Sequence, residues 1–151
     1  MDEPRIVIIF SGYNERAVIS FIRTLEKNKV AYVIIARNSD DQIFNTAYKN
    51  KVILTRESQL LNLEIVRKYL EIISFKLKYT QYLIAPSTEA LNRFLLRERN
   101  ALECMNVIVP LVEEATYVGV SDKHEFGALC RRNGITVPKE YNSINDAFIP
   151  F

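Results

Sequence analysis

Short apolar runs, separated by helix-like segments, constrain the fold of this chain more than any other feature. The run at residues 6–10 is continuous and mostly β-branched, which is typical of a strand buried on both faces of a parallel sheet. Comparable runs predict four further strands, at residues 30–36, 51–55, 82–85 and 107–109. Because parallel neighbours need crossover connections, this alternation predicts an α/β fold with a doubly wound, Rossmann-like parallel sheet of about five strands.

Apolar residues at helical spacing predict the crossovers. Asn14 can cap a first helix that ends near residues 27–29, and residues 61–77 predict a long helix with two apolar stripes. Residues 43–48 are too short for a complete crossover helix and predict a turn or two of helix. The second stripe of the helix at 61–77 favours packing within the fold, with a homodimer surface as the alternative.

The composition excludes several classes of partner and site. Lys and Arg number 20 against 18 Asp and Glu, and a net charge of +2 creates no strong field, so we expect neither a nucleic-acid nor a membrane partner. No apolar run approaches the ~20 residues that cross a bilayer, and no signal peptide is evident. Two isolated cysteines and a single histidine suggest no metal site. We therefore expect a cytoplasmic protein that holds no metal of its own.

Ligands of open α/β sheets bind at the carboxyl ends of the strands. Four loops are expected there, at residues 11–14, 37–40, 55–57 and 86–89. Helices start after the first and the fourth, so free backbone N–H groups would face an anionic ligand such as a carboxylate. We expect substrate contacts in these two loops, at Ser11, Gly12, Asn14, Ser87, Thr88 and Glu89. The alternatives are a tight turn capped by Asn14 and an ordinary helix cap with an acidic first turn.

Several common nucleotide and phosphate patterns are missing from the sequence. The first loop carries one glycine rather than Gly-x-Gly-x-x-Gly, and no Gly-x-x-x-x-Gly-Lys-Ser/Thr loop occurs. No acidic residue follows the first strand, where a phosphoacceptor signalling domain would hold a cation. The arginines of the helix after residue 89 are interleaved with Glu98, which favours a solvated face over a phosphate site, at Arg93, Arg97 and Arg99.

Residues 121–138 predict a short helix followed by an extended segment. Ser121 can cap this helix, and Gly134 can supply the left-handed residue that ends it. An apolar stripe is expected to face inward, at Phe126, Leu129 and Cys130. Pro138 prevents any further helix.

This region resembles the start of the ATP-grasp nucleotide-binding region in the order of its features, Asp122-Lys123, Phe126, Leu129, Gly134-Ile135 and Val137-Pro138. In biotin carboxylase, D-alanine–D-alanine ligase and the large subunit of carbamoyl-phosphate synthetase, an N-terminal α/β domain precedes a similar Asp-Lys helix and Gly-Ile/Val-x-x-Pro turn. The resemblance implies that residues 1–118 form such a pre-ATP-grasp domain and that residues 119–151 begin an ATP-grasp domain. The second lysine, the glycine-rich loop and the magnesium ligands of the family would follow, so we expect a chain truncated near a domain boundary.

The resemblance also implies a reaction. The full-length protein would be a ligase that uses ATP and Mg²⁺ to phosphorylate a small-molecule carboxylate, which an amine or a thiol then attacks. Lys123 falls where the family often places a basic side chain near the nucleotide phosphates. These residues alone would lack catalytic residues and would bind no nucleotide tightly. The alternatives are a stand-alone α/β binding or interaction module, or the nucleotide-sugar-binding half of a glycosyltransferase.

Overall fold

The computed structural model describes residues 5–56, 58 and 60–138, with His124 described by its backbone alone. The strands are β1 Arg5–Phe10, β2 Tyr32–Ala36, β3 Val52–Thr55, β4 Gln81–Ile84 and β5 Val107–Ile108. The helices are α1 Glu15–Lys27, α2 Leu63–Leu77, α3 Glu89–Arg97, α4 Arg99–Glu103, α5 Glu114–Ser121 and α6 Lys123–Arg132. The predicted lead into a further domain falls partly on residues 139–151, which lie outside the described residues.

The five strands form one parallel sheet in the order β3-β2-β1-β4-β5. The chain winds outward from β1 through β2 to β3, and then returns past β1 to build β4 and β5 on the other side. The predicted fold class is therefore confirmed. The strand order reverses between β1 and β4, and this switch point is where doubly wound sheets bind ligands.

β1 is the central strand because its side chains are apolar on both faces. Ile6, Ile8 and Phe10 join the core cluster on the side of α2 and α3. Val7 and Ile9 point the other way and share a second cluster with residues of α1. Burying each of these side chains contributes about 1.5–3 kcal/mol, so the continuous apolar run fixes this strand between two layers of helices.

The connection from β2 to β3 contains no α-helix. Two short 3₁₀-helices, Gln42–Asn45 and Lys49–Lys51, replace it, which confirms the predicted turn or two of helix. Asp41 caps the first of them, because its Oδ1 accepts a hydrogen bond from the backbone N–H of Ile43 at 3.0 Å. The capping carboxylate is thereby held close to the end of β1.

Helix α2 buries residues of both predicted apolar stripes. Val66, Leu70 and Ile73 of the first stripe and Tyr69 of the second are buried in the core. Phe75, which belongs to neither stripe, is 87% exposed near the end of the helix. Packing within the fold is thus confirmed for these residues, while the homodimer through residues 61–77 stays a prediction.

The chain divides into two compact units between Leu111 and Val112. The second unit contains α5, which the sequence did not predict, and α6. The predicted cap is wrong: Ser121 ends α5, and Asp122 caps α6 by accepting a hydrogen bond from the Glu125 N–H at 3.1 Å. Asp122 takes the capping position because α6 begins at Lys123, one residue later than expected. The domain boundary at 118/119 stays a prediction.

The other features of the second unit follow the prediction in part. Gly134 has a φ of 70°, so the left-handed residue after the helix is confirmed. Cys130 of the predicted inward stripe is buried, whereas Phe126 is 46% exposed. Among the described residues of the whole chain, no helix combines the length and the apolar character that a bilayer span requires.

Candidate functional site

An open cleft of about 550 Å³ lies at the carboxyl ends of β1, β3 and β4, beside the switch point of the sheet. The loop after β1 contributes Tyr13, and the loop after β4 contributes Ser87 and Thr88. The first two turns of α3 form one wall. Its lining is mainly aromatic and aliphatic, with three arginines, Arg56, Arg93 and Arg97.

A larger depression of about 730 Å³ runs along α1, but it is a weaker candidate. Its lining residues come from that helix and its end, so no second element closes over a ligand. They also lie along the helix rather than at the carboxyl ends of the strands. The cleft at the switch point is therefore the better candidate site.

Helix α3 begins at the cleft with a regular cap. Thr88 has an extended backbone, and its Oγ1 accepts a hydrogen bond from the Leu91 N–H at 3.2 Å. Ser87 is buried, and its hydroxyl donates to the Phe10 carbonyl oxygen at 3.4 Å. The start of α3 is thus fixed to the end of β1, and the partial positive charge of this helix end lies beside the cleft.

Asn14 joins the two predicted loops. Its Oδ1 accepts from the Ala17 N–H at 3.3 Å, which confirms it as the cap of α1. Its Nδ2 donates to the Ser87 carbonyl oxygen at 3.1 Å. One amide side chain therefore caps a helix and holds the loops after β1 and β4 together.

Ser11 and Gly12 do not line this cleft; they line a separate small cavity of about 80 Å³ beside Asp41. The Ser11 hydroxyl is buried and donates to Asp41 Oδ2 at 2.6 Å, and the backbone N–H of Arg37 donates to the same oxygen at 2.7 Å. Gly12 has a φ of 91°, and a Cβ placed there would lie 2.3 Å from Arg37 Cβ and 2.8 Å from Asp41 Oδ2. Only glycine fits this approach.

The main chain of this loop holds two guanidinium groups. Arg56 donates from Nη2 to the Ser11 carbonyl oxygen at 2.8 Å, and Arg37 donates from Nη1 to the Gly12 carbonyl oxygen at 3.0 Å. Both guanidinium carbons lie about 5 Å from the centroid of the Tyr13 ring, at 5.0 Å for Arg56 and 5.1 Å for Arg37. Tyr13 therefore makes cation–π contacts with both arginines.

Burial lowers the pKa of the Arg56 guanidinium below its usual value, and the neighbouring positive charge of Arg37 lowers it further, against the opposing influence of Tyr13, Tyr69 and Asp41. The group is nevertheless a cation at neutral pH, because arginine normally titrates far above that range. The loop after β3 thus places a desolvated positive charge at the cleft.

The structure divides the six predicted substrate residues into four groups. Ser87 and Thr88 line the cleft, Asn14 joins its two loops, and Ser11 and Gly12 line the separate small cavity beside Asp41. Glu89 pairs with Arg93, with 2.7 Å between its Oε1 and Arg93 Nη2, and is not among the residues that line the cleft. Substrate contacts at these residues stay predictions.

Sequence reasoning did not single out the residues with the most unusual environments in the site, Tyr13, Arg37, Asp41 and Arg56. The loops at 37–40 and 55–57 are in the predicted set, but nothing in their composition distinguishes one arginine from the others. The one pattern that could have pointed to these two arginines is their position directly after a predicted strand, at Arg37 and Arg56. The prediction that Arg99 lies on a solvated face is wrong, because its Nη2 donates a hydrogen bond to the Leu111 carbonyl oxygen at 2.8 Å.

Lys123, the predicted phosphate contact, is the first residue of α6 in the second unit and is exposed. Its role stays a prediction. Within the described residues, no group of three or more histidine, cysteine, aspartate or glutamate side chains could hold a metal ion. The side chains described do not fit a resident magnesium ion.

Neither a protein-family model nor a curated protein matches the sequence. Among solved structures, the fold is similar to the biotin carboxylase domain of a single-chain bacterial carboxylase, with a TM-score of 0.50 and 14% sequence identity. The match covers 93% of this chain and 31% of that one, so the chain spans about a third of that structure's length. A likeness at this identity shows the fold alone, which agrees with the predicted α/β layout. The relation to the ATP-grasp group stays a prediction.

Proposed function

We propose that these residues form the substrate-binding part of an ATP-dependent ligase that joins a small-molecule carboxylate to an amine or, less often, to a thiol. The observation that carries the proposal is the cleft at the switch point, at which α3 begins, in a fold similar to a biotin carboxylase domain. A cleft lined by apolar side chains and cationic groups suits an organic anion.

The chain's own residues would bind and orient the acid. The first N–H groups of α3 carry partial positive charge, and Ser87 and Thr88 place polar atoms beside them. Apolar side chains around the cleft would exclude water, which would protect an acyl phosphate from hydrolysis. ATP with Mg²⁺ would supply the phosphoryl group, held by a domain outside the described residues.

Lys123 is proposed to contribute positive charge near the nucleotide phosphates. A lysine serves as a point charge and needs no bidentate geometry, so an exposed position at the start of a helix is compatible with this role. The support is the order of residues from Asp122 to Pro138, which resembles the entrance of an ATP-grasp domain.

The test of this role uses the complete polypeptide encoded by the gene that contains this sequence. We expect Lys123→Ala to weaken binding of ATP with magnesium about tenfold in calorimetric titration, since a charge-assisted contact is worth about 1.5 kcal/mol or more. Lys76→Ala, an exposed lysine in the last turn of α2, is the matched control and should leave the affinity unchanged. Equal affinity in the Lys123 variant would remove this lysine from the nucleotide site.

The reaction class is tested separately from the lysine. Purified complete protein, given ATP, magnesium and a panel of carboxylic acids with hydroxylamine as a trapping amine, should form hydroxamate and release ADP only when an acid is present. Hydroxylamine captures an acyl phosphate directly, so it reports activation of the acid without knowledge of the natural acceptor. Absence of acid-dependent ADP across a chemically broad panel would contradict the ligase proposal.

A further inference from the structure

One buried cation at the cleft, Arg56, forms no ion pair with any side chain that the structure describes. Arg56 is 8% exposed, and within the described residues its guanidinium makes one hydrogen bond, from Nη2 to the Ser11 carbonyl oxygen. Its Nε is buried and has no hydrogen-bond partner in the described part of the chain. None of the ion pairs formed among residues 5–56, 58 and 60–138 includes Arg56. A buried charge without an acidic side chain paired to it is costly, so its presence at a ligand-sized cleft indicates a bound anion.

The surroundings of Arg56 add positive charge rather than removing it. Arg37 lies over the same Tyr13 ring, and its Nε also has no hydrogen-bond partner. Asp41 is the buried carboxylate of this group, and its oxygens accept from the Ser11 hydroxyl and the backbone N–H groups of Arg37 and Ile43. Among the described residues, two guanidinium groups against one carboxylate leave a surplus of one positive charge.

On the opposite wall of the cleft, the described arginines are paired with acidic side chains. Arg93 pairs with Glu89 at 2.7 Å, and Arg97 pairs with Glu98 at 2.8 Å. Each arginine of α3 therefore has an acidic neighbour on or beside its own helix. For the residues that the structure describes, the unpaired positive charge of the cleft lies on the side that β1 and β3 form.

We propose that the cleft binds a carboxylate monoanion on a flat apolar body, with the carboxylate on the Arg56 guanidinium and the body against Tyr13 and Phe94. The planar fork of a guanidinium matches the two oxygens of a carboxylate. One surplus charge suits a monoanion better than a phosphate dianion, which would leave a negative charge among apolar side chains. The aromatic rings and the volume of about 550 Å³ suit a body of one or two fused rings.

This inference rests on the proposed function only for the fate of the bound acid, which the ligase would activate. Binding of the acid depends on Arg56 and the cleft, both of which lie in the first unit. Carboxylate binding and acid-dependent ADP release are therefore separate measurements, and either one can fail without the other.

The test titrates the complete chain with benzoate while the Nε–H signals of arginine are followed by NMR. The Arg56 signal is assigned by its loss in Arg56→Lys. We expect benzoate to shift this signal, because its Nε–H has no hydrogen-bond partner in the structure. Arg56→Gln should weaken benzoate binding about tenfold or more, whereas Arg23→Gln, an exposed arginine on α1, should not change it.

Three probes make the inference falsifiable without any variant. Benzamide has the shape of benzoate without its charge, acetate has the charge without the ring, and inorganic phosphate carries more charge without a ring. We expect benzoate to bind more tightly than all three. Benzamide binding as well as benzoate, phosphate binding more tightly, or an unmoved Arg56 signal would each overturn the proposal.

The kinetic form of the test separates the two proposals. If the complete protein releases ADP in response to an aromatic acid, Arg56→Lys should raise the KM for that acid and leave the KM for ATP unchanged. An unchanged KM for the acid would refute the role of Arg56 while the ligase stands. Benzoate binding at Arg56 without acid-dependent ADP release would support the carboxylate site and refute the ligase.

Discussion

The two walls of the cleft both carry arginines, but they hold them in opposite ways. Arg93 and Arg97 on α3 are exposed and pair with acidic side chains one or four residues away. Arg37 and Arg56 lie beside the ends of β2 and β3, where main-chain carbonyl groups of the β1 loop hold them. The difference shows that the arginines of α3 are neutralised by acidic side chains close by in the sequence. The guanidinium of Arg56 is held by a distant main-chain carbonyl group, which does not neutralise its charge, so this charge is available to bind an anion.

The largest effect is expected from a substitution at Gly12, where the loop after β1 packs closely against Arg37 and Asp41. We expect Gly12→Ala to lower the free energy of unfolding by about 4 kcal/mol, because the new Cβ combines a strained backbone with overlap against Arg37 and Asp41. Urea denaturation measures the change. Gly134→Ala, at a φ of 70° but with open space around it, should cost only about 1 kcal/mol. Equal costs would show that the overlap is relieved by a small shift.

A second variant removes the buried carboxylate behind the same wall. Asp41→Ala leaves the Ser11 hydroxyl and the N–H groups of Arg37 and Ile43 without their acceptor, so we expect a loss of about 3 kcal/mol in the free energy of unfolding. Asp40→Ala, next to it and exposed, should change stability by less than about 0.5 kcal/mol. Similar effects for the two neighbours would contradict a structural role for Asp41.

The smallest effect is expected on the α3 wall. Glu89→Gln removes an exposed i,i+4 ion pair whose side chains are 64% and 61% exposed, for Glu89 and Arg93, so unfolding free energy should fall by only about 0.5 kcal/mol. The loss should shrink further in high salt, because exposed pairs are screened. A loss as large as that of Asp41→Ala would erase the distinction between the walls.

The same contrast explains what the sequence could predict. The central strand, its neighbours and the cap at Asn14 depend on residues close together in the chain, and the structure confirms them. The contacts of Arg56 with Ser11 span 45 residues, and those of Asp41 with Ser11 span 30. No periodicity encodes such pairs, because they arise only when the sheet brings loops together.

In the second unit, contacts between residues closer together in the chain also limited what the sequence could predict. The left-handed Gly134 followed from its residue type, and the structure confirms it. The cap at Asp122 was missed because Ser121 and Asp122 are both good capping residues, and the choice depends on where α5 ends. A helix that the sequence did not predict therefore displaced the next helix by one residue.

The use of main-chain carbonyl groups to hold Arg37 and Arg56 has a consequence for how such a site could diverge. The carbonyl oxygens of Ser11 and Gly12 are present whatever the side chains are, so these anchors survive substitutions that would abolish a side-chain acceptor. The exposed residues of α3 can change freely, because their ion pairs contribute little stability. Substitutions on α3 could therefore change which substrate is preferred, while the loops after β1 and β3 continue to hold the anion.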